Sequence, residues 1–115
     1  MAQDSSFAQF EFSDVDAQRS KANQPYIEFL RRPSMHCGVY HLEAGSEDPQ
    51  SPHDDDELYY VQSGRAKFFA DGKNVDVKPG TLLYVKAHEE HRFHSIEENL
   101  TILVFFSTSK AHAGG

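Results

Sequence analysis

The chain has 115 residues, and eleven lysines and arginines against eighteen acids leave a formal charge of −7. Acidity of that order repels phosphate backbones and argues against a nucleic-acid partner. The longest apolar run, Ile102 to Phe106, is strand-length and far short of a membrane span. A lone cysteine, Cys37, cannot form an intrachain disulfide. "MAQDSSFAQF" lacks the basic and apolar regions of a signal peptide, so the expected address is cytoplasmic.

In chain order, residues 1–24 are polar and weakly patterned, with Phe7, Phe10 and Phe12 as apolar marks. They read as an N-terminal arm preceding a single domain over 25–108. "SKAHAGG" places a flexible tail at 109–115. Between them lie eight short runs: Tyr26–Leu30, Ser34–Leu42, Leu58–Gln62, Arg65–Ala70, Asn74–Val77, Thr81–Val85, His91–Ser95 and Leu100–Phe106. Arg32-Pro33, Ala44-Gly45, Ser63-Gly64, Asp71-Gly72 and Pro79-Gly80 separate them as turns. Asp71-Gly72 is the strongest hairpin signal, because a tight two-residue turn needs positive φ. Many short strands predict an all-β sandwich or barrel, with no helix long enough to compete.

Two stretches carry the chemistry. In "SPHDDDELYYVQSG", residues 51–64, His53 and Glu57 share strand parity, but four residues of straight strand span about 13 Å, too far to grip one ion. If the two cooperate, the three aspartates must form a bend, with Glu57 opening a strand. In "KAHEEHRFHS", a strand places either His91 or His94 inward and leaves His88 in the preceding turn. Asp54, Asp55 and Asp56 read as solvated loop acids. His36 and His41 differ in parity, so at most one faces inward. Cys37 reads as a buried small apolar residue; Tyr40, Tyr59, Tyr60 and Tyr84 read as core, with one or two hydroxyls reaching into the pocket, and Phe93, Phe105 and Phe106 as core or pocket wall.

Together these stretches resemble the two motifs of the cupins. The spacing from His53 to Glu57, and from Glu57 to Gly64, fits the first motif; Gly80 and His91 fit the second. The resemblance covers roughly residues 35–106. It implies a double-stranded β-helix, or jelly-roll barrel, holding one divalent metal on His53, Glu57 and His91. Two histidines and a carboxylate suit Fe(II), with Zn(II), Mn(II), Ni(II) or Cu(II) as alternatives. The implied function is a metal-dependent enzyme on a small molecule, foremost a dioxygenase-type oxidoreductase. A metal-dependent isomerase or lyase, or a non-catalytic small-molecule or metal-binding protein, is the alternative. Cupins commonly pair, so a homodimer is expected. The chain departs from the motifs at Ser51, which stands at the first histidine, and at Lys86, His88 and Ser95. Ser51 shares parity with His53, so Ser51→His is expected to add a fourth ligand.

Overall fold

The computed structural model describes residues 6–108; the tail expected at 109–115 lies outside them. One short helix, α1 (Phe12–Lys21), precedes six strands: β1 (Tyr26–Arg32), β2 (Met35–Leu42), β3 (Glu57–Ala70), β4 (Lys73–Val77), β5 (Leu82–Val85) and β6 (His91–Ser107). All pairings are antiparallel, in the order β1-β2-β6-β3-β4, with β5 on the free side of β3's first residues. The all-β jelly-roll expected from the sequence is the fold found.

The helix was not expected. It buries only Val15 and Arg19, one turn apart, so its apolar stripe is too thin to register as a period. It stands because its ends and one face are tied down. The Arg19 guanidinium donates to Asp16 and to the Gln24 carbonyl, and Asn23 takes the left-handed conformation that closes many helices (φ 55°). Phe10 sets its ring edge-on against Phe29 of β1, with centroids 5.1 Å apart. Phe10 thus packs against a strand of its own chain.

Eight expected runs became six strands because the apparent turn at Ser63-Gly64 and the gap after Ser95 are irregularities within longer strands. Along β3, Glu57, Tyr59 and Val61 are buried, then Gln62 and Ser63 are both exposed, then Gly64, Ala66 and Phe68 are buried. One extra residue flips the parity there, and the register against β6 shifts at the same place. On β6 the buried set passes from His91 and Phe93 to Ile96 across Ser95, whose φ is +50°. Such offsets bend and twist long strands, so that one hydrogen-bonded sheet can fold over itself.

The turns between strands behaved as expected. Asp71 and Gly72 both take positive φ (52° and 70°) and close the β3–β4 hairpin. At Pro79-Gly80 the Thr81 amide donates to the Lys78 carbonyl, as a four-residue turn requires. The inner face is filled by Tyr59, Val61, Phe68, Val85, Phe93, Leu100 and Ile102, while Val39 is buried on the opposite side, beside Phe10, Val15 and Phe29. Tyr59, Phe68 and Phe93 meet edge-on or tilted at centroid distances of 4.6 to 5.7 Å, a geometry that aromatic rings prefer. Cys37 is buried, as expected for a small apolar residue.

The roll has one consequence for the site. Antiparallel pairing sets Glu57 opposite Phe106 and Ala70 opposite His91. On a flat ladder those ends lie about 13 residues apart, roughly 43 Å. Yet the Glu57 and His91 side chains approach to 3.1 Å. Curling of the sheet brings them together.

Candidate metal centre

Three elements converge at the mouth of the roll. The loop before β3 supplies Gln50 and His53, the first turn of β3 supplies Glu57 and Tyr59, and the start of β6 supplies His91. Asp54 and Asp55 form the expected bend, and β3 begins at Glu57. Only Asp54 of the three aspartates is exposed. Asp56 accepts a hydrogen bond from the Ala87 amide, and Asp55 lies 3.2 Å from His36. Two of the three thus shape the loop rather than merely solvate it. The His88 amide donates to the His53 carbonyl at 2.7 Å, pinning the second motif's turn to the first motif's loop.

Ligand-capable atoms of His53, Glu57 and His91 all lie within 4.8 Å of one another. His91 Nε2 is 3.1 Å from Glu57 Oε1, and His53 Nε2 is 3.9 Å from the same oxygen. Glu57 and His91 are almost wholly buried, whereas His53 faces the opening. His94 points away and bonds Asn74, and His88 is exposed in the turn, so period two rightly separates His91 from its neighbours. Of the upstream pair, His36 lines the cavity and stacks on Phe106 at 4.4 Å, while His41 bonds Thr101 and Glu43.

The protons around this cluster are few. His91 Nδ1 lies 2.7 Å from the Glu89 carbonyl, which can only accept, so Nδ1 carries the proton. In the neutral ring Nε2 is then a bare lone pair. It faces Glu57 Oε1, Gln50 Oε1 at 3.2 Å and the Tyr59 hydroxyl at 3.1 Å. Tyr59 gives its single proton to Gln50 Oε1 at 2.9 Å. Glu57 Oε2 is buried with no hydrogen-bond partner. An acceptor-rich buried cluster of this kind is costly unless a cation occupies it. A proton on His91 is one such cation. Burial acts against the imidazolium, but the Glu57 carboxylate, the Glu89 carbonyl and Asp48 outweigh it, and the His91 pKa is raised. A divalent metal is the other, and two imidazoles with a carboxylate suit one.

Sequence reasoning missed Gln50 as a member of this cluster, whereas Tyr59 is one of the tyrosines whose hydroxyl was expected to reach the pocket. It also placed Ser51 where a fourth donor should stand, and the structure corrects that. Ser51 is exposed, and its neighbour Gln50 reaches inward instead. Residues 48–53 are not a strand, and Pro49 and Pro52 interrupt any ladder, so the two-residue alternation used to choose Ser51 does not apply there.

Beyond the cluster opens a cavity of about 350 Å3. Tyr26, Tyr40, Val104 and Phe106 form its largely apolar wall, and Arg31 stands at the wall already paired with Glu28 at 2.7 and 2.9 Å. The Tyr26 hydroxyl is buried without a hydrogen-bond partner. Burial first, then the nearby Glu28, pushes its pKa up to about 12, so it remains a donor. Its ring lies over Gly38, where any Cβ would overlap it.

A rolled antiparallel sheet with His, His and Glu at its mouth defines a cupin, and the chain belongs to that family. The family model for the cupin domain matches residues 38–106. The chain is 41% identical over 98 residues to the uncharacterized protein SCO3923 of Streptomyces coelicolor, covering 85% of this chain and 93% of that protein. Among solved structures it is similar to the cupin domain of Schizosaccharomyces pombe Cnp3, with a TM-score of 0.69 at 14% identity over 77% of this chain and 63% of that one. It is also similar to DMSP lyase DddQ of Ruegeria pomeroyi, with a TM-score of 0.66 at 17% identity over 77% of this chain and 50% of that one. At those identities the two structures bear on the fold alone.

Proposed function

We propose that this chain is a metal-dependent enzyme acting on a small molecule, with one divalent ion, Fe(II) foremost, held by His53, Glu57 and His91. The proton-poor cluster of buried donors at the head of an apolar cavity carries this reading. A bound ion would supply Lewis acidity and an anchor for oxygen. The protein's own residues do the rest. Glu57 offsets charge in a dry site, the Glu89 carbonyl orients the His91 ring, and the aromatic wall excludes water and receives an apolar body. The Tyr26 hydroxyl is a donor awaiting an acceptor, so the substrate class is a small, partly apolar enol, phenol or thiol with a second oxygen within reach of that phenol.

The favoured reaction is dioxygenase-type. Fe(II)-loaded protein is expected to consume oxygen with one of those classes, and Glu57→Ala to abolish it. Uptake that survives in Glu57→Ala would trace the signal to free iron. With the substrate found, Tyr26→Phe is expected to raise KM about 3- to 10-fold, the worth of one hydrogen bond, at unchanged metal content. An unaltered KM removes Tyr26 from recognition. The second reading is metal-assisted elimination or isomerisation, which needs only the ion's Lewis acidity and no oxygen. No oxygen uptake with any class, together with turnover supported by Mn(II) or Zn(II), would select it.

A further inference from the structure

We infer that Gln50 is a fourth ligand to the metal and that Asp48 is the residue that aims it. This rests on the reading that His53, Glu57 and His91 hold an ion. Gln50 Oε1 lies 3.2 Å from His91 Nε2 and 3.3 Å from His53 Nε2, so it borders the same point in space as the three. An amide can present either its oxygen or its nitrogen, and the identity of the inward atom is settled by what binds the other end. Gln50 Nε2 donates to Asp48 Oδ2 at 2.6 Å. A carboxylate accepts and cannot donate, so the nitrogen belongs on Asp48 and the oxygen on the site.

Asp48 is itself fixed. It is buried, its Oδ1 accepts from the Tyr40 hydroxyl at 2.6 Å, and its Oδ2 also accepts from the Phe93 amide at 3.0 Å. Three donors hold a carboxylate whose role toward the ion is indirect. Phe93 lies two residues beyond His91 on β6, so one strand positions both the histidine and the amide's anchor. The ligand set becomes two imidazoles, one carboxylate and one neutral carbonyl. Its single negative charge leaves a divalent site at +1, favourable for an anionic oxygen of a substrate. Four protein donors leave two positions on a six-coordinate ion, enough for a substrate's oxygen pair.

Co(II) titration, followed by its visible absorption bands and by calorimetry, tests this without any substrate. Wild type is expected to bind one ion per chain. Gln50→Ala is expected to keep that stoichiometry, weaken Kd by at least the roughly 10-fold that follows from losing a ligand's hydrogen-bonded neighbour, and alter the absorption bands. Gln50→Glu, which restores an oxygen at the same reach, is expected to recover the affinity. Asp48→Asn, which no longer fixes the amide's orientation, is expected to weaken Kd in the same direction without touching the ion. Ser51→His is expected to change nothing. Wild-type affinity and bands in Gln50→Ala would overturn the assignment while leaving the three-residue site standing. So would a loss that Gln50→Glu fails to recover, which would reflect packing. No binding by wild type would instead sink the metal reading itself, and the Gln50 assignment with it.

Discussion

His91→Ala is expected to empty the proposed site: metal content should fall from about one ion per chain to background, with the fold intact. The argument begins with burial. His91 is only 3% exposed, so its ring fills space that bulk solvent does not reach. Truncation removes the bare Nε2 that faces Glu57 and Gln50. In the metal-free protein it also leaves the Glu57 carboxylate, one oxygen of which has no hydrogen-bond partner, without the imidazolium that would sit beside it. The loss of affinity should exceed the roughly 10- to 100-fold that follows from losing a hydrogen-bonded neighbour of a ligand. His94→Ala and His88→Ala, whose side chains point elsewhere, serve as controls and should retain full loading. Elemental analysis of dialysed protein reads the result. Equal metal in His91→Ala and wild type would remove His91 from the site.

The second large effect is expected of Gly64→Ala. Gly64 sits in the bulge of β3 with φ +101°, and a Cβ there would overlap the Asn99 carbonyl oxygen and stand 2.7 Å from Leu100 Cα. Both obstacles are backbone, which cannot rotate away. A residue held in a sparsely populated backbone region costs about 1–3 kcal/mol, and overpacking a dense interior adds about 1–3 kcal/mol more. Together they are a large part of the about 5–15 kcal/mol by which domains are stable. Gly72→Ala isolates the first contribution, because Gly72 also has positive φ (70°) but no atom within 4 Å of its would-be Cβ. Urea titrations should show Gly64→Ala losing clearly more than Gly72→Ala. Equal losses would mean that β3 and β6 separate at little cost and that the bulge does not fix their approach.

What the sequence disclosed follows from where local rules hold. Period two separates His91 from His94 because both lie on a genuine strand. The Asp-rich run declared its bend because aspartate is a poor strand former and Glu57 a clean strand start. The same rule failed at Ser51 because the chain around it, between Pro49 and Pro52, has no pleat. Ser63-Gly64 resembled a turn because a bulge glycine and a turn glycine meet the same φ demand. Nothing local distinguishes them; pairing with β6, far along the chain, does. The helix escaped because its stability comes from docking by Phe10 and Val15 and from the Arg19 contacts, not from its own weak periodicity. Tyr26 was read as a strand residue, and its role as a cavity wall depends on the absent side chain of Gly38 on the neighbouring strand.

The approach of Glu57 to His91 from opposite ends of the β3–β6 ladder also bears on the order in which the protein assembles. Pairings such as Glu57 with Phe106 join distant parts of the chain, and domains dominated by such contacts fold in milliseconds to seconds. The ladder can zip before the sheet has curled, but the cluster cannot exist until it has. An ion therefore finds no site on the early ribbon and cannot template it. A seated ion would fasten the two ends together, and were the curl to follow the rate-limiting step, the ion would act on escape rather than on entry. In that order of events the metal would set how long a folded molecule lasts and leave untouched how fast it arises, a difference confined to the unfolding limb of its kinetics.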